Sequence, residues 1–241
     1  MSENLELKIL ENAFDDFGIE YDELTIQRFA RYMELVLEWN KKVNLTAIVE
    51  PEAFITKHFI DSVSCAADDY FKAANTVIDV GTGAGFPGMP LAIIAQDKEF
   101  LLADSLNKRI KVLNEVVSEL GLKNVQLVHG RAEELARRRE YREKYDICVS
   151  RAVSQLRILS EYCLPFVKKE GTFAAYKSSD SDDEIKNAEK SIHTLGGKLE
   201  YISDRNMPKY GLFHRIIYIN KEKNTPKQYP RKPGTPEKYP L

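Results

Sequence analysis

The amino-acid sequence predicts an α/β protein: a mostly parallel seven-stranded sheet with helices on both faces, preceded by a helical extension. Three observations carry this. From Asn75 onward short β-rich runs alternate with helix-length segments, a glycine-rich string follows the first of those runs, and the stretch ahead of them spaces its apolar residues as a helix does. Strands that alternate with helices build a parallel sheet covered on both faces. At 241 residues, 43% of them hydrophobic, the chain is long enough for one full domain with an added segment.

The elements follow in order. Ile26, Phe29, Ala30, Met33, Val36 and Leu37 recur at i, i+3, i+4, i+7 spacing, which draws one apolar stripe along a helix. A second helical stretch follows Pro51 and carries Phe54, His58 and the run Phe59-Ile60-Asp61. Strands are predicted at Thr76–Val80, Glu99–Ala103, Val125–His129, Tyr145–Val149, Thr172–Tyr176, Lys198–Ile202 and Phe213–Ile219. Helical patterns such as Leu106–Leu120, closed by Gly121, lie between the first five. The last two strands are joined by a short link containing Pro208 and Gly211, too short for a helical crossover, so they pair antiparallel. Five parallel strands, a sixth and a reversed seventh make the Rossmann-like arrangement of class I methyltransferases.

Three segments result: a helical extension over 1–70, a cofactor-binding domain over 71–221 and a tail over 222–241. Five of the ten prolines (Pro226, Pro230, Pro233, Pro236, Pro240) crowd into the tail, which excludes helix and central strand there. An extended tail is expected, either draped over the domain or free. Its Tyr229, Arg231, Lys232, Lys238 and Tyr239 suit contact with RNA or with the domain itself, and Arg231 and Lys232 are candidate RNA ligands.

Charge and composition exclude several classes. Net charge is −2, so the molecule is no polycation, yet residues 1–25 hold eight acids against Lys8 alone while residues 221–241 hold six Lys/Arg against Glu222 and Glu237. That asymmetry permits a local anionic contact at the C-terminal end. The longest tight apolar run, Leu91-Ala92-Ile93-Ile94-Ala95, falls far short of the roughly 20 residues that span a bilayer. Cys65, Cys148 and Cys163 are dispersed among apolar neighbours with no CxxC pair, so reduced, buried thiols and no metal are expected. The start of the chain lacks a basic-then-apolar leader pattern, and a cytoplasmic location is expected.

The densest chemistry lies in Val77-Ile78-Asp79-Val80-Gly81-Thr82-Gly83-Ala84-Gly85-Phe86-Pro87-Gly88. A buried strand turns through three alternating glycines and enters a helix at Pro87, taken as its first residue. Gly83, Gly85 and Gly88 alone spell the dinucleotide pattern GxGxxG, so a dehydrogenase competes at this point. The fuller DxGxGxG, with Asp79 ahead of Gly81, favours the methyl donor S-adenosylmethionine. A carboxylate there suits the ammonium of its methionine moiety and would repel a pyrophosphate. Asp104 ends the second strand, where an acid accepts ribose hydroxyls in either fold, and Gly130-Arg131-Ala132-Glu133 follows the third strand at the adenine edge. Arg151 and Lys177 follow the fourth and fifth strands and are expected to flank the cofactor, orienting a target base or its phosphate; surface salt bridges are the competing reading. His58 among Phe54, Phe59 and Ile60 is read first as a structural histidine, and Asn40 as a helix-end cap.

Several strings in order resemble the ribosomal RNA small subunit methyltransferase G family, also called glucose-inhibited division protein B. They are Trp39-Asn40-Lys41-Lys42-Val43-Asn44-Leu45-Thr46, His58-Phe59-Ile60-Asp61-Ser62, the glycine string, Asp104-Ser105-Leu106-Asn107-Lys108-Arg109, Gly130-Arg131-Ala132-Glu133, Ser150-Arg151-Ala152-Val153 and Tyr229-Pro230-Arg231-Lys232-Pro233-Gly234-Thr235-Pro236. The resemblance covers essentially the whole chain. It implies S-adenosylmethionine as cofactor and methylation of N7 of a guanine in 16S ribosomal RNA, with the RNA or the small subunit as partner. It further implies cofactor contacts from Gly81, Phe86, Ala132, Glu133 and Arg151. Lys177 and Arg215 match positions linked with the RNA site, and Asn40 and His58 match motifs of the helical extension. Methyltransfer to another substrate and a non-catalytic RNA-binding module are the other readings.

Overall fold

A computed structural model of the chain describes residues 3–241, with side chains from Glu6 onward. Seven strands form one sheet in the order β3-β2-β1-β4-β5-β7-β6. They are β1 (Thr76–Val80), β2 (Glu99–Asp104), β3 (Val125–His129), β4 (Tyr145–Arg151), β5 (Val167–Ser178), β6 (Gly197–Met207) and β7 (Leu212–Lys221). The first five pair parallel, while β7 runs antiparallel to both β5 and β6. Strands β5 and β6 run well beyond the predicted spans, because β5 pairs with β4 from Val167 and with β7 on to Ser178, while β6 follows β7 to Met207 opposite Leu212. Gly211 turns the final hairpin at a φ of 64°.

The chain order reverses between β1 and β4, which opens a crevice at the carboxyl end of β1. Val77, Ile78, Asp79 and Val80 are all buried, as a central strand covered on both faces requires. On one face Ile78, Cys148, Phe173 and Ile217 pack beneath the helices Leu156–Cys163 and Asp182–Thr194. On the other, Val77, Val149 and Tyr176 join Phe14, Phe29, Tyr32, Phe54 and Phe59 of the N-terminal helices in a single core. Among the described residues, no helix is long and apolar enough to cross a membrane.

Those helices are Glu3–Phe17 and Glu23–Asn40, the second opened by a capping box in which Asp22 accepts the Thr25 backbone N–H at 2.8 Å. Its buried stripe is Phe29, Tyr32, Leu35 and Val36, whereas Ile26, Met33 and Leu37 are only partly buried. The predicted stripe thus packs on the core, Ile26, Met33 and Leu37 at its margin, and is widened by Leu35 and by Tyr32, whose hydroxyl finds the Ala84 carbonyl at 2.7 Å. The stretch after Pro51 is one α-turn, Pro51–Phe54, then a π-helical segment, Ile55–Ile60, then a further turn, Asp61–Val63. Thr56 and Ser62 hydroxyls donate to carbonyls one turn back, a bonding pattern that distorts a helix.

The tail lies on the domain. Arg142 donates to the carbonyls of Thr225 and Tyr229, both at 2.8 Å, and Glu143 accepts the Thr225 N–H at 2.7 Å. The prolines predict no helix in this tail, yet Thr235–Lys238 forms a short one. Pro236 sits in its first turn, where no intrahelical N–H is required of it.

Candidate cofactor and substrate site

The turn after β1 is built by its glycines. Gly81, Gly83 and Gly85 take φ values of 77°, 65° and 107°, the left-handed region that side chains avoid. At Gly85 space forbids a side chain as well, since a Cβ would lie 2.4 Å from the Tyr32 hydroxyl. Gly88 is needed for a close approach: a Cβ there would meet Asp79 Oδ2 at 2.7 Å, in the place where the Gly88 N–H donates to that oxygen at 2.8 Å. Pro87 stands one residue ahead of the helix Gly88–Ile94 rather than within it, so Gly88 is the first helical residue.

Asp79 is fully buried beneath this turn. Its Oδ2 accepts from Thr82 Oγ1 at 2.7 Å and from Gly88, and its Oδ1 finds no partner among the described residues. Burial pushes the carboxyl up to about 7, against the lowering effect of those two donors. A buried oxygen without a donor carries an energetic cost that a ligand cation or water can remove.

Asp104, at the end of β2, pins the same turn. Its Oδ2 accepts the Gly83 N–H at 2.9 Å and its Oδ1 the Leu106 N–H at 2.8 Å. Arg109 also reaches Oδ2 at 3.4 Å; a carboxylate offers about four acceptor positions, so Oδ1 retains capacity for a ribose hydroxyl. Gly81, Asp104, Ala132, Glu133, Val153 and Tyr162 line a cleft of about 110 Å³ at the carboxyl end of the sheet, the place where open α/β sheets bind ligands. Val153 and Tyr162 were not singled out as site residues by the sequence; they arrive from the β4 loop and the helix behind it, which only folding brings here. A larger hollow between Asp69 and Gly171 lies at the amino end of β4, away from the crevice where such sheets bind ligands.

Beside the turn stands a polar and aromatic group from both halves of the chain. Phe86 stacks on His58 with ring centroids 4.4 Å apart, and the Arg151 guanidinium lies over the same ring at 5.4 Å. Arg151 also pairs with Asp61, whose other oxygen is 2.9 Å from His214 Nδ1. Arg151 and His214 hold the Asp61 carboxyl below its ordinary value despite burial. Burial takes His58 down to about 4, with Arg151 adding to the effect, so the imidazole is neutral and its Nε2 meets Thr46 Oγ1 at 2.7 Å. Asp61 and His214 join the site only through the fold, with no local pattern in the sequence to mark them.

Arg151 and Lys177 do not flank the site together as expected. Arg151 follows Val149 in the alternation of β4 and faces the N-terminal helices. Lys177 follows Ala175 in β5 and faces the opposite side. Alternation along a strand separates them. Lys177 donates to the Ser154 carbonyl and to Glu184, both at 2.5 Å, and so holds the loop that carries Val153. Arg215 is its cross-strand neighbour and pairs with Asp182 and Asp204, two exposed acids. Asn40 spends its side chain on the backbone of Leu45 and Thr46, closing the loop after its helix. Arg231 binds both oxygens of the buried Glu161, whereas Lys232 is exposed.

Residues 25–209 match the family described as rRNA small subunit methyltransferase G. A protein of that name from Clostridium perfringens (strain 13 / Type A) is 49% identical over 233 residues, spanning 97% of this chain and 98% of its own. Another, from Clostridium novyi (strain NT), is 48% identical over 240 residues, spanning 100% of this chain and 99% of its own. Among solved structures, a candidate O-methyltransferase from Klebsiella pneumoniae superposes with a TM-score of 0.55 at 12% identity, covering 89% of this chain and 97% of that one. That likeness concerns the fold.

Proposed function

Because the chain belongs to the rRNA small subunit methyltransferase G family, we propose that it transfers the methyl group of S-adenosylmethionine to N7 of one guanine in 16S ribosomal RNA. The observation that carries the reading is the turn over Asp79: a buried carboxylate with one unsatisfied oxygen under three left-handed glycines suits a cationic ligand and repels a pyrophosphate. When bound, the sulfonium supplies a methyl group already activated toward attack.

The chain's own residues have a limited task. Guanine N7 offers a lone pair in the ring plane, so no general base is required, and the contribution is alignment, worth roughly 7–11 kcal/mol in well-oriented systems. Gly81, Gly83, Gly85 and Phe86 shape the turn, with Asp79 toward the ammonium, directly or through water. Asp104 faces the ribose, and Ala132 with Glu133 the adenine edge. Arg151, steadied by Asp61 and Phe86, orients the guanine through O6 or its phosphate and is the residue closest to catalysis. Lys177 acts from the other face by holding the Ser154 carbonyl. Arg215 can exchange its exposed acidic partners for RNA phosphate, and Lys232 is free to do the same. Asn40 and His58 support the wall behind Phe86, and Arg231 contributes through Glu161.

Mass spectrometry of small-subunit RNA from cells with and without the protein tests the substrate. Loss of one 7-methylguanosine on deletion is expected; an unchanged RNA overturns the reading. Arg151→Ala is expected to lower turnover on saturating RNA by about a hundredfold.

A further inference from the structure

The tail reaches the cavity from behind, and its fastenings end on the cavity wall. Glu133 is 3% exposed and stands in the first turn of the helix Ala132–Leu135. Its Oε1 accepts the backbone N–H of Gly234 at 3.0 Å, a residue 101 positions further along the chain. Gly234 has a φ of 79° and starts the helix Thr235–Lys238, whose Pro236 is buried. Three residues earlier Arg231 forks onto Glu161, with Nη2 to Oε2 at 2.6 Å and Nε to Oε1 at 3.0 Å, while its own N–H donates to Oε1 at 2.7 Å. Glu161 is 1% exposed, and the next residue on its helix is Tyr162 of the cavity wall.

We propose that the strap 225–241 is a working part of the cofactor site: Gly234 seated on Glu133 and Arg231 seated on Glu161 fix the adenine-side wall, so that strap docking and cofactor binding reinforce each other. The inference rests on the reading that this cavity takes S-adenosylmethionine. Without the strap, Glu133 loses the donor that orients it, and Glu161 loses the guanidinium and the N–H that fix its carboxylate, leaving both side chains to reorient toward water. Either loss displaces the wall. The fastenings are mostly hydrogen bonds and one ion pair, with Pro236, Tyr229 and Leu241 as a modest apolar complement, so the strap can loosen without unfolding the sheet. Coupling of two binding events is reciprocal: what docks the strap tightens the ligand, and the ligand tightens the strap by the same factor. Arg231 and Glu161 are thereby positioning residues.

The test uses the full chain and S-adenosylhomocysteine, with no RNA present. Calorimetry is expected to show Arg231→Ala binding about tenfold more weakly than the unmodified chain. Hydrogen exchange on the unmodified chain is expected to show the Gly234 amide slowing about tenfold at saturating ligand. Equal affinity in a folded Arg231→Ala, or Gly234 exchange indifferent to ligand, overturns the proposal, and the exchange measurement decides should the variant not fold. An unmodified chain that takes up no S-adenosylhomocysteine overturns the reading of the cavity itself and the strap's role with it.

Discussion

The two ends of the chain meet the same site by different physics. The N-terminal helices enter the main core through fully buried rings: Phe59 alone has Phe29, Tyr32, Phe54 and Phe86 within 4.9–6.3 Å between centroids. The C-terminal strap is fastened chiefly by Arg142, Glu143, Glu161 and Glu133 to its backbone and to Arg231. Burial of apolar surface is non-directional and stays in force while the fold lasts. Hydrogen bonds are directional, individually modest and exchangeable with water. The helical extension is thus a permanent wall behind Phe86 and Arg151, and the strap a separable one behind Glu133.

The largest effect that tests this contrast is Phe59→Ala. The buried ring leaves a cavity at the junction of extension and sheet, with an expected loss of about 3–5 kcal/mol in chemical denaturation. Arg231→Ala is expected to cost less, about 1–3 kcal/mol, because it removes a partly exposed charged hydrogen-bond partner and leaves the core packed. A strap variant that destabilises more than Phe59→Ala would reverse the comparison.

Two pH dependences sharpen it further. Asp79 is raised to about 7 by burial, and a cation favours its ionised form, so ligand uptake should release a proton. Affinity for S-adenosylmethionine is expected to fall by up to about tenfold per pH unit below 7. Titration in buffers of different ionisation enthalpy reads this directly, and a flat profile from pH 6 to 8 counts against the role of Asp79. His58 sits in the N-terminal wall with its pKa lowered from 6.5 to about 4. The unfolded chain therefore protonates first, and stability drains away as pH falls from 6.5 toward 4. Melting curves of His58→Gln should lose the part of that slope due to this residue, a change absent at neutral pH.

Much of the fold was legible because it depends on local pattern. Seven β-rich runs and the short link between the last two were enough for a parallel sheet with a reversed strand. DxGxGxG marked the turn because a left-handed backbone leaves its trace in glycine spacing. Tyr32 lies outside the apolar pattern of its helix because its hydroxyl is satisfied by a carbonyl more than fifty residues away. The short helix in the tail escapes a count of prolines, because Pro236 falls in its first turn, where a proline is harmless.

The sequence by itself determined the layers, the topology of the last hairpin and the position of the glycine turn, since each follows from residues adjacent along the chain. Tertiary structure alone decided that Asp61 reaches Arg151, that Lys177 faces away from it, and that Gly234 closes on Glu133. Those partners lie 90, 26 and 101 positions apart. No periodicity or spacing rule links residues so distant, and their meeting depends on the order in which strands enter the sheet and on the face each side chain takes.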